Sequence, residues 1–425
     1  MLTGSRLVAA AAANPADGTY VGRRHKPDYW LLIGATLLLT IGFIVVFSIS
    51  PGLAASQNVS QNYFITKQFI DVVLGLAVFG LAARLPISLW HRLARPLAYA
   101  AILASAVVMF MPVDSIYQAH RWIRVGGLSF QVVELIKLAL IIWLAGFLAQ
   151  RFRAGKIADS SATIRPLLII LIAIAFVIAK AQSDLGSAGV VLAITALMAY
   201  VAGVPLKRIG LIAATVLLIL TIAIASSNYR RERLATFLNP QSDCLGSGYQ
   251  ACQALKSVGS GGLVGLGLGH SVQAYGYLPE ASNDSIFAII AEKFGFIGSA
   301  IVVAIYAVLI SRLKTIISKT ADVFSRLVVV GVLAWFSTQM IINIGAMIGL
   351  LPLKGITLPL VSQGGTSIIF LTAALGVVFQ ISRYTSYDVI EPKNGPTSAS
   401  RSYSGPGRRR LRRPYNPASV TRPRA

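Results

Sequence analysis

Apolar residues in this chain fall into runs too long for the core elements of a soluble protein. A helix needs about 20 apolar residues to cross the hydrocarbon core of a bilayer. Runs of about that size recur near 30–50, 67–83, 93–112, 129–149, 166–181, 185–203, 209–226, 285–310, 326–349 and 358–381. The first, from Trp30 through LLIGATLLLTIGFIVVFSIS, is unbroken. The pair at 166–181 and 185–203 is divided only by AQSD, which suits a tight hairpin or one broken helix. The pattern predicts an all-α, polytopic integral membrane protein. It has about ten transmembrane helices, with a large external loop (about 227–284) between helices 7 and 8. The expected organisation is a tail at 1–28, a membrane domain at 29–384 and a second tail at 385–425. No internal repeat is visible. The AAAAAN stretch near residue 10 is too short for a signal peptide, and a membrane span follows it.

Composition supports this reading. Of 425 residues, 55% are hydrophobic and 12% charged, with a mean hydropathy of +0.70. Soluble domains carry about 25% charged residues, so a water-soluble enzyme, a disordered chain and a fibrous repeat are excluded. The net charge of +23 would suggest nucleic acid in a soluble protein. Here it reads as topology. Ten spans put both termini on one side. If that side is the cytoplasm, most Lys and Arg lie there: in the N-terminal tail, in loops such as Arg151–Arg165 and Arg312–Arg326, and in the C-terminal tail. Nucleic acid is then unnecessary. The tail SGPGRRRLRRPYNPASVTRPRA is basic and Pro-rich. It reads as a disordered positive-inside anchor, or as a contact for anionic lipid headgroups or a cytoplasmic partner.

Transporters place their polar groups at the bilayer midplane. In this chain they collect at the outer face, which favours work on something presented at the external surface. Ionisable residues within spans are costly and each needs a reason. The acidic ones are Asp71, Glu134, Asp184, Asp284 and Glu292. Glu134 and Lys137 share one helical face at i and i+3. They are either a buried ion pair that locks helix packing, or a polar lining in which Lys137 holds an anionic substrate group. Arg121, Trp122 and Arg124 immediately precede that span. The guanidiniums suit phosphate, and Trp122 alternatively suits an interfacial belt. Asp184 is either a helix N-cap or a functional carboxylate.

LPEASNDSIFAIIAEKFG reads as a loop entering a helix, with Glu280 and Asp284 just before or at its start. Asp284 is either the N-cap or a carboxylate base at the mouth of a cleft. Burial would raise its pKa towards a useful range and a neighbouring cation would lower it, so the direction stays open. GSGGLVGLGLGH can present backbone N–H groups to phosphate or be a flexible loop. No Walker-type Lys-Ser/Thr follows it, so a nucleotide site is not supported. LVSQGGTS, with Ser362 and Gln363, is a tight external turn or a wall of the same cleft. Cys244 and Cys252 share the external loop, where a disulfide is permitted. The loop it would close is short, so it would add little stability. No His/Cys/Glu cluster has structural-metal spacing.

Taken together, RWIRVGGLSFQVVELIKL, AQSDLGSAGV, GLGLGHSVQAYGYLPEASND and INIGAMIGLLPLKGITLPLVSQGGTS resemble the SEDS family of cell-wall proteins (shape, elongation, division and sporulation) from roughly residue 28 to 384. GSGYQ, GLGLGHSVQ and YLPEA look more like its division branch than its elongation branch. The resemblance implies a peptidoglycan glycosyltransferase that polymerises lipid II into glycan strands at the outer face of the bacterial cytoplasmic membrane. It also implies that Asp284 is the essential carboxylate and matches Arg121, Trp122, Glu134, Lys137 and Asp184 to family positions. It implies a class B penicillin-binding protein as partner, other divisome proteins, and no cofactor beyond a divalent cation such as Mg or Mn. The chain departs from the family pattern at Val132 (usually Pro), Ser282 and Asn283 (His-Thr), Ser285 (an aromatic) and Gln363 (Tyr). The alternatives are a lipid II flippase, an elongation-type polymerase, or a non-catalytic scaffold for a transpeptidase.

Overall fold

The computed structural model describes residues 26–111, 121–125, 128–178, 184–225, 231, 236–239 and 243–384. The C-terminal basic tail, nearly all of the N-terminal tail and Lys180 lie outside these residues. Among the described residues every predicted span has a helical counterpart. These are α1 Tyr29–Gln57, α2 Tyr63–Ala82, α3 Ile87–Val108, α4 Val132–Arg153, α5 Arg165–Phe176, α6 Leu185–Val201 and α7 Leu206–Ala225. The external loop contributes α8 Tyr249–Ser260, and α9 Ile286–Lys319, α10 Val323–Met347 and α11 Gly365–Ser382 complete the set. Six of them (α1, α2, α4, α9, α10 and α11) are long and apolar enough to cross a membrane.

The centre of the bundle is α4, α6, α10 and α11, each with more than half of its residues buried. α10 packs on α4, α6 and α9, and α11 runs along α2. That last seam uses small residues. A Cβ at Gly75 would meet Ile368 and Thr372, and one at Gly376 would collide with the backbone of Phe79. Without water between helices, close backbone approach and van der Waals contact drive association. The outer helices leave Ile102, Leu103, Ile169, Leu211 and Leu218 exposed, as a lipid-facing surface requires. Asp28 caps α1 through Trp30 and ion-pairs with Arg312 near the far end of α9, at 2.6 Å.

Two predicted spans are corrected. The run at 129–149 starts as a strand. Trp122–Val125 (β1) pairs antiparallel with Leu128–Gln131 (β2), and the helix begins at Val132. The Gly-Gly pair between alternating residues was the available hairpin signal. The run at 285–310 is not one continuous helix. Gly295 has φ +63 and ψ −161, which breaks α9 into a short outer half-helix and a long span. Only glycine adopts that conformation without strain.

Candidate active site

Asp284 lies in the turn before the half-helix. The N-cap position of α9 is Ser285, so the capping role considered for Asp284 is not the one it has. The turn is held from inside. The Asn283 and Ser285 N–H groups donate to the Glu280 carbonyl at 3.0 and 3.1 Å, and Ser285 Oγ donates to Pro279 O at 2.9 Å. Glu280 itself is left-handed, with φ +51, and its exposed side chain accepts a bond from Asn283 Nδ2.

Two side chains and one backbone N–H from later in the chain grip this turn by its backbone. Asn343 Nδ2 donates to the carbonyls of Asp284 and Ile356, both at 2.7 Å. Ser362 Oγ donates to Asn283 O at 2.6 Å, and the Gln363 N–H to Ser282 O at 2.8 Å. The Gln363 side chain donates to Phe64 O on α2. Ser362 and Gln363 belong to the segment read as a tight turn or a cleft wall, where either could meet substrate. Both are buried with their bonds used within the protein, so they position the turn. LVSQGGTS is thus the wall behind Asp284.

The glycine-rich loop is not a flexible phosphate nest. Its Leu266 and Gly267 N–H groups donate to Glu292 O and Lys293 O, beside the break at Gly295. A Cβ at Gly261 or Gly265 would collide with the backbone of the half-helix. Buried Glu292 accepts from Ser271 Oγ at 2.6 Å and from the Val272 and Gln273 N–H groups. Lys293 Nζ donates to Leu268 O at 2.6 Å. The charges of Glu292 and Lys293 are therefore satisfied by folding the loop onto the half-helix.

Asp284 lines a small, partly open pocket. Gln250, Asn343 and Lys354 supply polar groups, while Ile342, Ala346, Met347 and Leu353 form an apolar wall. Such a mixed lining suits an amphiphile. Burial, reinforced by Glu280, pushes the Asp284 pKa up to about 7. Arg121 pulls in the opposite direction, and Asp184 adds to the rise. Desolvation therefore outweighs the cation. Arg121, Asp184, Glu280 and Asp284 are close enough to interact, although 163 positions separate the first from the last. Sequence reading missed Gln250, Asn343 and Lys354. None carries a local signal, because each matters only through where the fold puts it.

Asp184 has the N-cap role considered for it: it caps α6, accepting from the Ser187 N–H and Oγ at 3.0 and 2.7 Å, and it lies near both Glu134 and Asp284. Lys137 is not at the cleft. Its ammonium bonds Glu134 Oε1 at 2.7 Å and Gln339 Oε1 at 3.0 Å, and lies 5.0 Å from the Trp335 ring centre. Gln339 continues to Thr357. The pair matches the packing-lock alternative, and a direct hold of Lys137 on a substrate anion is not what the geometry offers. Trp122 is half-buried in the hairpin, and the Arg124 side chain lies outside the described part. Cys244 and Cys252 form a disulfide across eight positions.

The family model described as cell cycle protein, FtsW/RodA/SpoVE, matches residues 29–387. The chain belongs to this family. It is 35% identical over 375 residues to stage V sporulation protein E of Bacillus subtilis (strain 168), covering 86% of this chain and 99% of that protein. It is also 35% identical over 387 residues to a probable peptidoglycan glycosyltransferase FtsW of Thioalkalivibrio sulfidiphilus, covering 90% and 94%. Among solved structures, a chain from work on polymerization and crosslinking by a peptidoglycan synthase complex superimposes with a TM-score of 0.67 at 26% identity. It covers 84% of this chain and 98% of that one. The rod shape determining protein RodA of Thermus thermophilus gives 0.62 at 26%, covering 85% and 98%. The protein is thus a bacterial integral membrane protein of the SEDS type.

Proposed function

We propose that this protein is an FtsW-type peptidoglycan glycosyltransferase that joins lipid II units into glycan strands at the outer face of the cytoplasmic membrane during division. The observation that carries the reading is Asp284, a carboxylate at the mouth of an amphiphilic cleft with a pKa raised to about 7. A base works best when its pKa lies near the working pH. Asp284 takes the proton from an acceptor sugar hydroxyl as that oxygen attacks the anomeric carbon of a second lipid-linked glycan. The bond to polyprenyl pyrophosphate breaks with inversion, and the pyrophosphate takes the electron pair. Arg121 offsets the growing negative charge. The apolar wall faces the lipid part of the substrate. The donor is already activated, so no nucleotide is needed. Among the described residues no three His, Cys, Asp or Glu side chains gather as a metal site, and no step is routed through a divalent ion.

A solved relative from work on a complex that couples polymerization to crosslinking supports a crosslinking partner; that partner is read as a class B penicillin-binding protein, with other divisome proteins switching the pair on at the septum. Both termini lie in the cytoplasm on the charge pattern. The test uses purified protein with its transpeptidase, the transpeptidase chemistry blocked, and labelled lipid II. Glycan ladders should form, and Asp284→Asn should abolish them with partner binding intact. Ladders that survive Asp284→Asn refute the base. No ladders from the unaltered protein would favour a flippase or a scaffold.

A further inference from the structure

Residues 261–269 of the external loop read GGLVGLGLG, a run with no polar side chain. Its apolar side chains face outward. Leu263 and Val264 are 71% and 76% exposed, and Leu266 and Leu268 are exposed as well. A contiguous apolar surface of this kind marks contact with a membrane or a partner. The depth of the run decides between them.

Two helices measure that depth, because their cytoplasmic ends are tied together. Asp28, just before α1, ion-pairs with Arg312 of α9, and its N–H donates to Ser382 Oγ at the end of α11. These positions mark one boundary of the bilayer. At a rise of about 1.5 Å per residue, Ile297 stands about 22 Å along α9 from Arg312. That is still inside a hydrocarbon core about 30 Å thick. The loop is bonded to α9 at this level: the Phe296 and Ile297 N–H groups donate to Gly262 O and Leu263 O at 2.9 and 3.1 Å. α1 places the following residues higher. A Cβ on Gly52 would collide with the Tyr275 ring, and Gly52 stands about 36 Å along α1 from Asp28, beyond the core. Tyr275 and Tyr277 are exposed there, where interfacial aromatics sit.

The backbone bonding fits a segment in hydrocarbon, where peptide groups must be satisfied within the protein. The Gly265, Leu266 and Gly267 N–H groups donate to Gly261 O, Glu292 O and Lys293 O, and Leu268 O accepts from Lys293 Nζ. Phe296, Ile297 and Ile301 continue the exposed apolar surface along α9. We infer that residues 261–269 form a re-entrant segment inserted in the outer leaflet, with Leu263, Val264, Leu266 and Leu268 against phospholipid acyl chains. The half-helix that follows the Asp284 turn is thereby fastened to the membrane through Glu292 and Lys293. This contact holds whatever reaction Asp284 performs.

The test uses the full-length protein in phosphatidylcholine–phosphatidylglycerol vesicles. Val264→Cys, Ile301→Cys (within the span) and Gln57→Cys (at the outer end of α1) each add one thiol for a fluorophore, since Cys244 and Cys252 are joined to each other. The unaltered protein should take no label. The Val264 probe is expected to match the Ile301 probe, with strong quenching by lipids carrying a nitroxide on the acyl chain and loss of quenching by iodide on both sides of the membrane. The Gln57 probe should show the reverse. Leu266→Cys repeats the reading if Val264→Cys loses its melting transition. A loop probe that behaves like the Gln57 probe, or that neither quencher reaches, overturns the insertion. Adding the transpeptidase separates the two occupants: nitroxide quenching that persists supports lipid contact, and its loss assigns the surface to the partner instead.

Discussion

Asn343 and Asp284 meet through the backbone: the Asn343 amide donates to the Asp284 carbonyl at 2.7 Å, and also to Ile356 O at 2.7 Å. One buried side chain on α10 thus sets the distance between the Asp284 turn and the irregular segment bearing Gly355 and Ile356. The turn has no regular secondary structure of its own to fix that distance. Asn343→Leu removes both donated bonds while keeping the branching of the side chain, and Asn343→Ala does so without added bulk. Each orphaned carbonyl should cost about 1–3 kcal/mol, and misplacing Asp284 by about 1 Å should cost about 100-fold in rate. Glycan ladders and a melting curve on the same sample check it: a rate near that of the unaltered protein would show that Asn343 does not hold the turn.

The pH dependence has a defined sign. Asp284 must be ionised to act as base, and its pKa is about 7. The rate, as kcat/KM, should rise as pH passes upward through about 7 and level off above it. Arg121 favours the carboxylate and Glu280 disfavours it. Arg121→Gln should therefore move the rising limb to higher pH, and Glu280→Gln to lower pH. A limb that stays in place in both variants would separate the titration from Asp284.

Gly355→Ala tests how close the walls are. Alanine at φ +61 costs about 1–2 kcal/mol, and its Cβ would sit 3.3 Å from Asp284 Oδ2. The melting temperature should fall slightly and kcat far more. Equal activity would mean that the cleft has room at this point.

The Glu134–Lys137 pair should behave as a unit. Lys137→Met leaves a buried carboxylate without its cation and should cost about 3–5 kcal/mol. Combining it with Glu134→Leu should recover much of the melting temperature, because both charges then leave together. Additive losses in the double variant would show that the two do not depend on each other.

Cys244 and Cys252 report on topology. In intact cells a membrane-impermeant maleimide should label them only after reduction, since the disulfide holds both sulfurs. Labelling that requires permeabilised cells would place the loop in the cytoplasm and invert the orientation.

The apolar helices, six of them long enough to span a membrane, were legible because each is a local property. A run of apolar residues is stable in lipid only as a helix, since every backbone N–H and C=O must be satisfied within the segment. The candidate carboxylate was legible too: Asp284 stands just ahead of an apolar helix in a chain with 15 acidic residues. The hairpin at 122–131 and the break at Gly295 left only faint marks, a Gly-Gly pair and a lone glycine.

What the tertiary structure alone decided is where the charges go. Glu134 and Lys137 could equally have lined the cleft, but α10 brings Gln339 and Trp335 to the ammonium and closes it off. The direction of the Asp284 shift was open in the chain, because burial and Arg121 oppose each other and their balance depends on packing. Lys354, Asn343 and Gln250 had no signal at all. Hydropathy is a sum over neighbours in the chain and survives in the sequence. A site is a meeting of residues distant in the chain, and which ones meet is settled by the packing of helices whose apolar faces look much alike.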